Sequence, residues 1–422
     1  MLLYNLFLLI YRIGLRITAL FNSKATEFLE GRKRQAHLWE EIFTNHPYRV
    51  VWFHCASLGE FEQGRPVIEA FRNAYPQHKV LLTFFSPSGY QTRKDYEYAD
   101  WVLYLPLDSP WQARRLINLV RPEMVLFVKY EFWYYYLSEL NRRNIPVLLF
   151  AAIFRPSHLF FKPYGGFYRQ MLQFFSEIHV QDKASQELLQ SINLKNVTVS
   201  GDTRIDRVAQ IASTATPESI TTRFACEDKV VIMGSLWPDD WAVISKDVQQ
   251  LMTCCKFIIA PHEISENFLQ KIEETFEQGS IVRYSTLLQV GVEGIQRVRA
   301  LLIDNVGLLS RLYVYGTVAY VGGGFKDGLH NILEPAAFGV PVVFGNRKYR
   351  LFREANDLLA QGGAHTIART GDLTAIIRKW LADANALQQA SNICKTYVKR
   401  NTGATQKVLT SIQSYLVYPL QS

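Results

Sequence analysis

The chain of 422 residues is longer than one ordinary hydrophobic core supports, so two domains are expected. Hydrophobic residues make up 48% of the sequence, which excludes an intrinsically disordered protein. The net charge of +8 favours anionic partners, and five scattered cysteines without a CxxC pair exclude a disulfide framework and a cysteine-bound zinc site.

The first segment, residues 1–22, is predicted to be a membrane-associated helix. Its uninterrupted apolar run is about half as long as a spanning helix requires, because Arg12 and Arg16 interrupt the segment. Basic residues at Lys24 and 32–34 come next, as in a helix that lies on an anionic cytoplasmic leaflet. A helix packed on its own domain and a tilted single span are the alternatives.

Continuous apolar runs along the rest of the chain predict strands that are buried on both faces of parallel sheets. In the first half these runs are RVVWFHCA, KVLLTFFS, MVLFVKYE, PVLLFAAIF and EIHVQD. In the second half they are KVVIMGS, CKFIIAPHE, VRALLID, TVAYVGGGF and VPVVFGN. Amphipathic stretches such as 61–74 and 239–252 separate the runs, so two doubly wound α/β domains are predicted.

The expected domain divisions are set by these runs and by the polar segment near residue 203. An N-terminal α/β domain is expected over 23–203 and a second over 204–386. The remainder, 387–422, is expected to be a C-terminal helix that packs back on the first domain.

In such sheets, ligands bind beyond the carboxyl ends of the strands. The run RVVWFHCA is followed by SLGE, in which Ser57 and Gly59 form a tight turn and Glu60 opens the next helix. Glu60 is either a helix-capping carboxylate or a general base that points into the ligand crevice.

Glu131 comes after a later strand and precedes the aromatic run FWYYY, residues 132–136. The run is either aromatic core or an apolar platform for a lipid acceptor.

In the second half, polar or glycine residues come directly after three strands. Gly234 and Ser235 end one strand, and His262 ends the next. The stretch VGGGF, with Gly322, Gly323, Gly324 and Phe325, exposes backbone amides that suit a phosphate.

A helix is predicted to begin near Asn331, with Glu334 one turn further on as an acceptor for ribose hydroxyls. Together with the glycines, these residues predict a nucleotide site. They do not match the GxxxxGK[ST] pattern of a P-loop, and an ordinary glycine-rich turn is the alternative.

Five motifs are collinear with those of a known family. The family's SVGE, ETE-x-WP, GN-x-K-x-D, GS-x-x-P and GGHNPLEPAA-x-G-x-PV appear here as SLGE (57–60), KYEFWY (129–134), GDTRID (201–206), GSLWP (234–238) and GLHNILEPAAFGVPV (328–342). On these motifs the chain resembles the transferases of 3-deoxy-D-manno-octulosonic acid (Kdo) in lipopolysaccharide biosynthesis.

The resemblance implies an α/β fold of GT-B type, with two Rossmann-like domains that face a central crevice. It implies inverting transfer of Kdo from CMP-Kdo to a lipid A precursor, at the cytoplasmic face of the inner membrane, without a metal or another cofactor. Glu60 matches the family's catalytic base, and Asn331 and Glu334 match its CMP-binding motif. The remaining candidates divide into donor-binding residues (Gly234, Ser235, His262, Gly322, Gly323, Gly324, Phe325) and acceptor or positioning residues (Ser57, Gly59, Glu131, Arg155, Arg204).

The sequence departs from the family at several positions. Lys129 replaces the first glutamate of ETE, Tyr134 replaces the proline after the tryptophan, and Arg155 is displaced from the usual arginine position. The basic residue that usually precedes the histidine at 262 is missing. Contacts to the donor and acceptor phosphates are therefore open from the sequence.

Two other classes of protein compete with this interpretation. A nucleotide-sugar epimerase on a similar fold would need more acid and base groups in the crevice and no membrane anchor. A nucleic-acid binder is suggested by net charge alone, but the basic residues form no dense tract, so no nucleic-acid partner is expected.

Overall fold

The computed structural model describes residues 1–326 and 328–416, so Asp327 and the last part of the predicted C-terminal segment, 417–422, lie outside the described residues. The chain forms two compact units. Unit 1 comprises Met1–Asp206 and the segment that starts at Gly403, and unit 2 is Arg207–Thr402. Each unit is built on a parallel sheet with helices between its strands, which confirms the predicted α/β class.

The strands of unit 1 are β1 (Val50–Cys55), β2 (Lys79–Phe84), β3 (Trp101–Tyr104), β4 (Met124–Val128), β5 (Val147–Ala152), β6 (Glu177–Val180) and β7 (Val197–Val199). They pair in the order β3-β2-β1-β4-β5-β6-β7, all parallel. All six residues of β1 are buried, as expected for a central strand covered on both faces. The apolar runs predicted five of these strands and missed the two at the edges, β3 and β7.

The strands of unit 2 are β8 (Val230–Leu236), β9 (Lys256–Pro261), β10 (Ile281–Arg283), β11 (Ala300–Leu302), β12 (Val318–Val321), β13 (Val342–Gly345) and β14 (Ala364–Ile367). Their order is β10-β11-β9-β8-β12-β13-β14. Here too the missed strands, β10 and β14, are the two edges.

The helices that precede or cover the sheet of unit 1 are α1 (Leu2–Thr18), α2 (Ser23–Gln35), α3 (Leu38–Phe43), α4 (Leu58–Ala74), α5 (Pro87–Arg93), α6 (Pro110–Val120), α7 (Tyr134–Arg142), α8 (Gly166–Leu172), α9 (Lys183–Gln190) and α10 (Thr203–Thr214), which continues into unit 2. The later helices are α11 (Ser219–Ala225), α12 (Pro238–Leu251), α13 (Glu266–Glu273), α14 (Tyr284–Val290), α15 (Leu309–Leu312), α16 (Leu333–Phe338), α17 (Arg353–Gln361), α18 (Asp372–Ala382), α19 (Ala384–Asn401) and α20 (Ala404–Leu416).

Strand order determines where each unit gathers its polar loops. In unit 1 the chain winds outward from β1 to β3 and then returns to place β4 on the other side of β1. The same reversal separates β8 from β12 in unit 2. Loops that leave the carboxyl ends of these paired strands diverge, which opens a ligand crevice at each switch point.

The N-terminal helix α1 packs one side on unit 1. Leu8 is buried, Tyr4 Oη donates to Asp108 Oδ2 at 2.6 Å, and Arg12 Nη2 donates to the Asp108 carbonyl at 2.9 Å. Its opposite side exposes large apolar side chains: Leu2, Leu3, Leu6, Phe7, Leu9, Ile10, Ile13 and Ile17.

Within the described ranges, no single helix has both the length and the apolar character needed to cross a membrane. By those two criteria alone, Leu2–Thr18 and Ser23–Arg34 qualify only as a pair, with a bend of 115° between them.

The C-terminal segment, predicted as one helix, consists of two. The first, α19, belongs to unit 2, whereas α20 packs against α4 in unit 1. They separate at Gly403, whose φ of 106° suits glycine and ends the helical path. The Asp206 carboxylate then accepts hydrogen bonds from the Gly403 and Thr405 amides, both at 2.6 Å, at the start of α20. The chain therefore leaves unit 1 after Asp206 and returns to it at Gly403, and a hydrogen bond joins these two residues.

Candidate functional site

A buried chain of hydrogen bonds lies at the carboxyl ends of β1 and β4. His54 is fully buried; its Nδ1 lies 2.8 Å from Thr83 Oγ1 and its Nε2 lies 3.0 Å from Glu131 Oε2. Two indoles extend the chain: Trp52 Nε1 donates to Thr83 Oγ1 at 2.7 Å, and Trp133 Nε1 donates to Glu131 Oε2 at 2.6 Å.

The chemistry of the partners fixes the direction of these bonds. With a carboxylate oxygen as its partner, His54 Nε2 is the donor, and in the tautomer that carries its proton there Nδ1 accepts from the Thr83 hydroxyl. Each donor then points along the chain toward Glu131, which holds the carboxylate in one orientation. The sequence indicated Glu131 but not His54 and Thr83, whose only signal was a polar residue at the end of an otherwise apolar strand.

Glu60 lies at the same corner of unit 1, in the first turn of α4, and is partly exposed. The Ser57 hydroxyl donates to its Oε2. Burial raises the pKa of the Cys55 thiol at the end of β1, and the negative charges of Glu60 and Glu131 raise it further. Because both carboxylates act on one buried thiol, the ends of β1 and β4 bring them into the same neighbourhood.

An apolar cavity of about 800 Å³ adjoins the Glu131 loop. It is lined largely by apolar and aromatic side chains from α1, from the loop after β4 and from the segment 157–171, including Phe7, Trp133, Phe160 and Phe167. Trp133 is thus shared, since its ring lines the cavity and its indole nitrogen bonds Glu131. Within the aromatic run, Tyr136 is fully buried in the core, whereas Phe132 lines the cavity.

The two arginines named from the sequence have different surroundings. Arg155 is exposed. Burial raises the pKa of the neighbouring Tyr130 hydroxyl, and the positive charge of Arg155 opposes that rise in part. Arg204 forms a two-pronged ion pair with Asp202, with nitrogen–oxygen distances of 2.9 and 2.6 Å. Its guanidinium is thus engaged within unit 1.

In unit 2, the glycines after β12 are required by the packing of the protein itself. A side chain at Gly322 would meet the Ser235 carbonyl oxygen at 2.2 Å, and Gly323 has a φ of 89°. The Gly322 amide donates to the Gly234 carbonyl at 3.0 Å. A side chain at Gly234 would in turn meet the Tyr313 hydroxyl at 2.1 Å.

Asp240, in the first turn of α12, holds this glycine loop. It is 1% exposed and accepts hydrogen bonds from the Gly323 amide at 2.9 Å, Tyr320 Oη at 2.8 Å and the Trp237 amide at 3.1 Å. Burial raises its pKa. The Gly322 and Gly323 amides therefore have protein partners, so only part of the 322–325 backbone is left for the phosphate that the sequence predicted there. Among the described residues, only the Gly324 and Phe325 amides of this loop lack an acceptor.

Three flat rings stack beside that loop, at the ends of β8, β9 and β12. The His262 ring lies 4.7 Å from Trp237 and 4.2 Å from His330, measured between centroids, and both interplanar angles are 28°. Trp237 Nε1 donates to His330 Nε2 at 2.7 Å. The sequence pattern pointed to His262 and not to its two partners, although both lie within the family motifs.

Asn331 and Glu334 act together at the start of α16. Asn331 Oδ1 caps the helix by accepting from the Leu333 amide at 3.1 Å, and its Nδ2 donates to Glu334 Oε1 at 3.2 Å. Burial raises the pKa of the Tyr313 hydroxyl, and the charge of Glu334 raises it further. Ser235, with a φ of 52°, completes this corner.

Solved structures show which class of protein has this fold. A UDP-GlcNAc 2-epimerase from Neisseria meningitidis, solved with UDP-GlcNAc, matches 87% of this chain and all of its own with a TM-score of 0.61 and 16% identity. A glycosyltransferase from Rickettsia africae matches 89% of this chain and all of its own with a TM-score of 0.57 and 13% identity. At such identities the likeness shows the fold alone, which is the GT-B type.

The sequence relatives point to one family. The family model described as 3-deoxy-D-manno-octulosonic-acid transferase matches residues 30–207. A protein of that name from Haemophilus influenzae is 25% identical over 383 residues, 88% of each chain, and one from Aquifex aeolicus is 26% identical over 321 residues, 75% of this chain and 81% of that protein. Over most of its length the chain is therefore similar to the Kdo transferases, as its motifs indicated, and this similarity supports a glycosyltransferase.

The hydrogen bonds of Thr83 give a first test of the site. Thr83→Val keeps the shape but leaves the Trp52 indole and His54 Nδ1 without a partner in a buried position, which should cost about 1–3 kcal/mol in free energy of unfolding. Urea unfolding followed by tryptophan fluorescence measures the loss. Thr83→Ser retains the hydroxyl and serves as control; equal stability of the two variants would contradict the proposed bonding.

Proposed function

We propose that the protein transfers Kdo from CMP-Kdo to a hydroxyl of a lipid A precursor, with the donor bound by unit 2 and the acceptor by unit 1. The observation that carries this proposal is the pair of carboxylates, Glu60 and Glu131, at the switch point of the domain that matches the Kdo transferase model.

The proposed chemistry is a single inverting displacement. Glu60 accepts the proton of the acceptor hydroxyl while the oxygen of that hydroxyl forms a bond to the anomeric carbon of Kdo. The bond from that carbon to the CMP phosphate oxygen breaks, and CMP leaves with the electron pair. A positioned carboxylate is sufficient as the general base.

Glu60 suits the base role better than Glu131. Glu131 is 8% exposed, and its Oε2 already accepts hydrogen bonds from His54 and Trp133. Glu60 is more exposed and has a single hydroxyl donor, Ser57. We assign Glu131 to orienting the acceptor, with its conformation fixed by the buried chain.

For the donor, the corner of unit 2 supplies groups of matching chemistry. The Gly324 and Phe325 amides suit phosphate oxygens, and Glu334, oriented by Asn331, suits ribose hydroxyls. The His262 and Trp237 rings offer flat surfaces beside them. The names of the relatives support Kdo as the sugar transferred.

The lipid part of the acceptor has a matching surface in unit 1. The cavity of about 800 Å³ is lined mainly by aromatic and aliphatic side chains and adjoins Glu131 through Trp133. The exposed apolar side of α1 continues from it, since Leu3 and Phe7 belong to both. We propose that α1 docks on the cytoplasmic face of the inner membrane, where such an acceptor would lie.

A first experiment tests the base. Glu60→Gln should lose about 10²–10⁴-fold in turnover, the contribution of a positioned general base, and should retain CMP affinity. Transfer is measured by mass spectrometry of the acceptor, and CMP binding by calorimetry. Glu62→Gln, two residues further along the same helix, is the control. Near-normal turnover of Glu60→Gln would refute the assignment.

The second experiment concerns the nucleotide. Removal of a charged hydrogen bond costs roughly 1.5–3 kcal/mol, so Glu334→Ala should weaken CMP binding by about 10–100-fold. Glu274→Ala removes an exposed carboxylate elsewhere in unit 2 and should change nothing. Unchanged CMP affinity in Glu334→Ala would leave helix capping as its role.

The transfer step is proposed to need no metal. In the part of the chain that the structure describes, no group of three or more metal-ligating side chains is found. EDTA should therefore leave transfer intact when ready-made CMP-Kdo is supplied. Loss of transfer that magnesium or manganese restores would overturn this proposal.

Docking of α1 is tested on its exposed side. Ile10→Glu with Ile13→Glu places two charges where apolar burial of about 1.5–3 kcal/mol per side chain is expected, so vesicle binding should fall at least 10-fold. CMP affinity should persist, because the nucleotide residues belong to unit 2. Val306→Glu, at a residue 93% exposed in unit 2, is the control. Undiminished sedimentation of the α1 variant with vesicles would show that another surface docks.

A further inference from the structure

A second cavity of unit 1, here called the basic cleft, has a volume of about 450 Å³ and lies between α1, α2 and the start of α6. Of its lining residues, all within the described part of the chain, none is acidic and five are basic. The charged or strongly exposed members are Arg12, Arg16, Arg32, Lys33, Arg115 and Trp111.

Most of this positive charge has no carboxylate partner. Arg115 is paired with Glu40 and Arg12 donates to the Asp108 carbonyl. Arg16 and Lys33 have no hydrogen-bond or ion-pair partner among the described residues. An anion that enters the cleft therefore meets two available cations.

Arg32 adds a half-buried charge to the wall of the cleft. Its guanidinium donates to the carbonyls of Leu105 at 2.9 Å, Phe28 at 2.9 Å and Phe85, and it lies 3.7 Å from the centre of the Phe28 ring. Burial lowers its pKa to about 10, so it stays charged at neutral pH. Among the described residues no carboxylate compensates this charge. Removing part of a charge from water without a carboxylate partner is costly, and an anion in the cleft would reduce that cost.

Apolar surface adjoins the cleft. Arg12 and Arg16 lie one turn apart on α1, next to the exposed Ile13 and Ile17. Trp111, on the other wall, is 64% exposed, and tryptophan is typical of the boundary between headgroups and acyl chains. The surface therefore suits an amphiphile whose phosphate enters the cleft and whose chains lie along α1.

We propose that the basic cleft binds the phosphate of an anionic phospholipid headgroup. This inference rests on the proposed membrane docking and adds to it a defined lipid site. Two other ligands carry the same anionic group. Free phosphate has it without acyl chains, and the acceptor lipid has it as part of the substrate, so the experiment tests both.

The experiment compares two double variants that remove equal charge. Arg16→Gln with Lys33→Gln removes the two unpaired cations of the cleft. Lys24→Gln with Arg34→Gln removes two cations outside its lining, and Arg34 is adjacent to Lys33 but paired with Glu27 at 2.7 Å. Binding is measured by sedimentation with vesicles of phosphatidylcholine alone or with added phosphatidylglycerol, at low and moderate salt.

A lipid site predicts that the cleft variant loses about 10-fold more affinity for phosphatidylglycerol vesicles than the control variant, with the difference kept at moderate salt. Both variants should bind phosphatidylcholine vesicles like the wild type. Nonspecific attraction predicts equal losses that vanish with salt, and that outcome would overturn the site.

Two further outcomes would overturn the lipid source. Inorganic phosphate at millimolar concentration that displaces the wild type from phosphatidylglycerol vesicles, at constant ionic strength, would assign the cleft to free phosphate. A raised KM for detergent-dispersed acceptor in the cleft variant, with no vesicle difference, would assign it to the acceptor. If the wild-type protein binds neither kind of vesicle, the docking proposal is refuted as well. If the cleft and control variants lose equal affinity for the vesicles, only the cleft proposal is refuted.

Discussion

In each sheet of this protein the chain reverses its winding at one pair of neighbouring strands, and the chemistry of each unit depends on that reversal. Parallel strands end at the same edge, so the loops after β1 and β4 must lie side by side while their helices depart to opposite faces. That constraint brings Glu60 and Glu131 to one corner of unit 1. In unit 2 it brings the loops after β8 and β12 together, where the Gly322 amide bonds the Gly234 carbonyl.

The buried Asp108 and the half-buried Arg32 organise the N-terminal helices in a similar way. The Asp108 carboxyl, 1% exposed, has a pKa that burial raises to about 6, and it accepts hydrogen bonds from Tyr4 and the Tyr135 and Tyr136 amides. The Arg32 guanidinium donates hydrogen bonds to carbonyl oxygens of three segments, and these bonds take the place of bonds to water. Such charges persist in an interior only when hydrogen bonds replace water, so each fixes the segments that supply those bonds. The sequence alone does not distinguish Arg32 from a surface charge, because it stands beside Lys33 in the same basic run.

The sequence predicted the strands that the core buries and missed those it does not. Central strands are covered on both faces and appear as continuous apolar runs, whereas the edge strands β3, β7, β10 and β14 are short and only partly covered. The same logic applies to the site. Glu60 and Glu334 stand in recognisable motifs after strands, but the partners of Glu131 and of the glycine loop, His54 and Asp240, became visible only when the sheet brought distant segments together.

One departure from the family motif finds its physical explanation at the start of α7. The family places a proline where this chain has Tyr134, the first residue of the helix, a position that suits proline because its amide would have no helical acceptor. Here the Tyr134 amide donates to Tyr4 Oη at 3.3 Å, and that hydroxyl donates in turn to Asp108. The first three amides of α7 are thus satisfied by α1 and by Asp108 instead of by a residue of α7 itself. Because Glu131 lies three residues before this helix, the substitution ties the proposed membrane helix to the loop that holds the second carboxylate of the site.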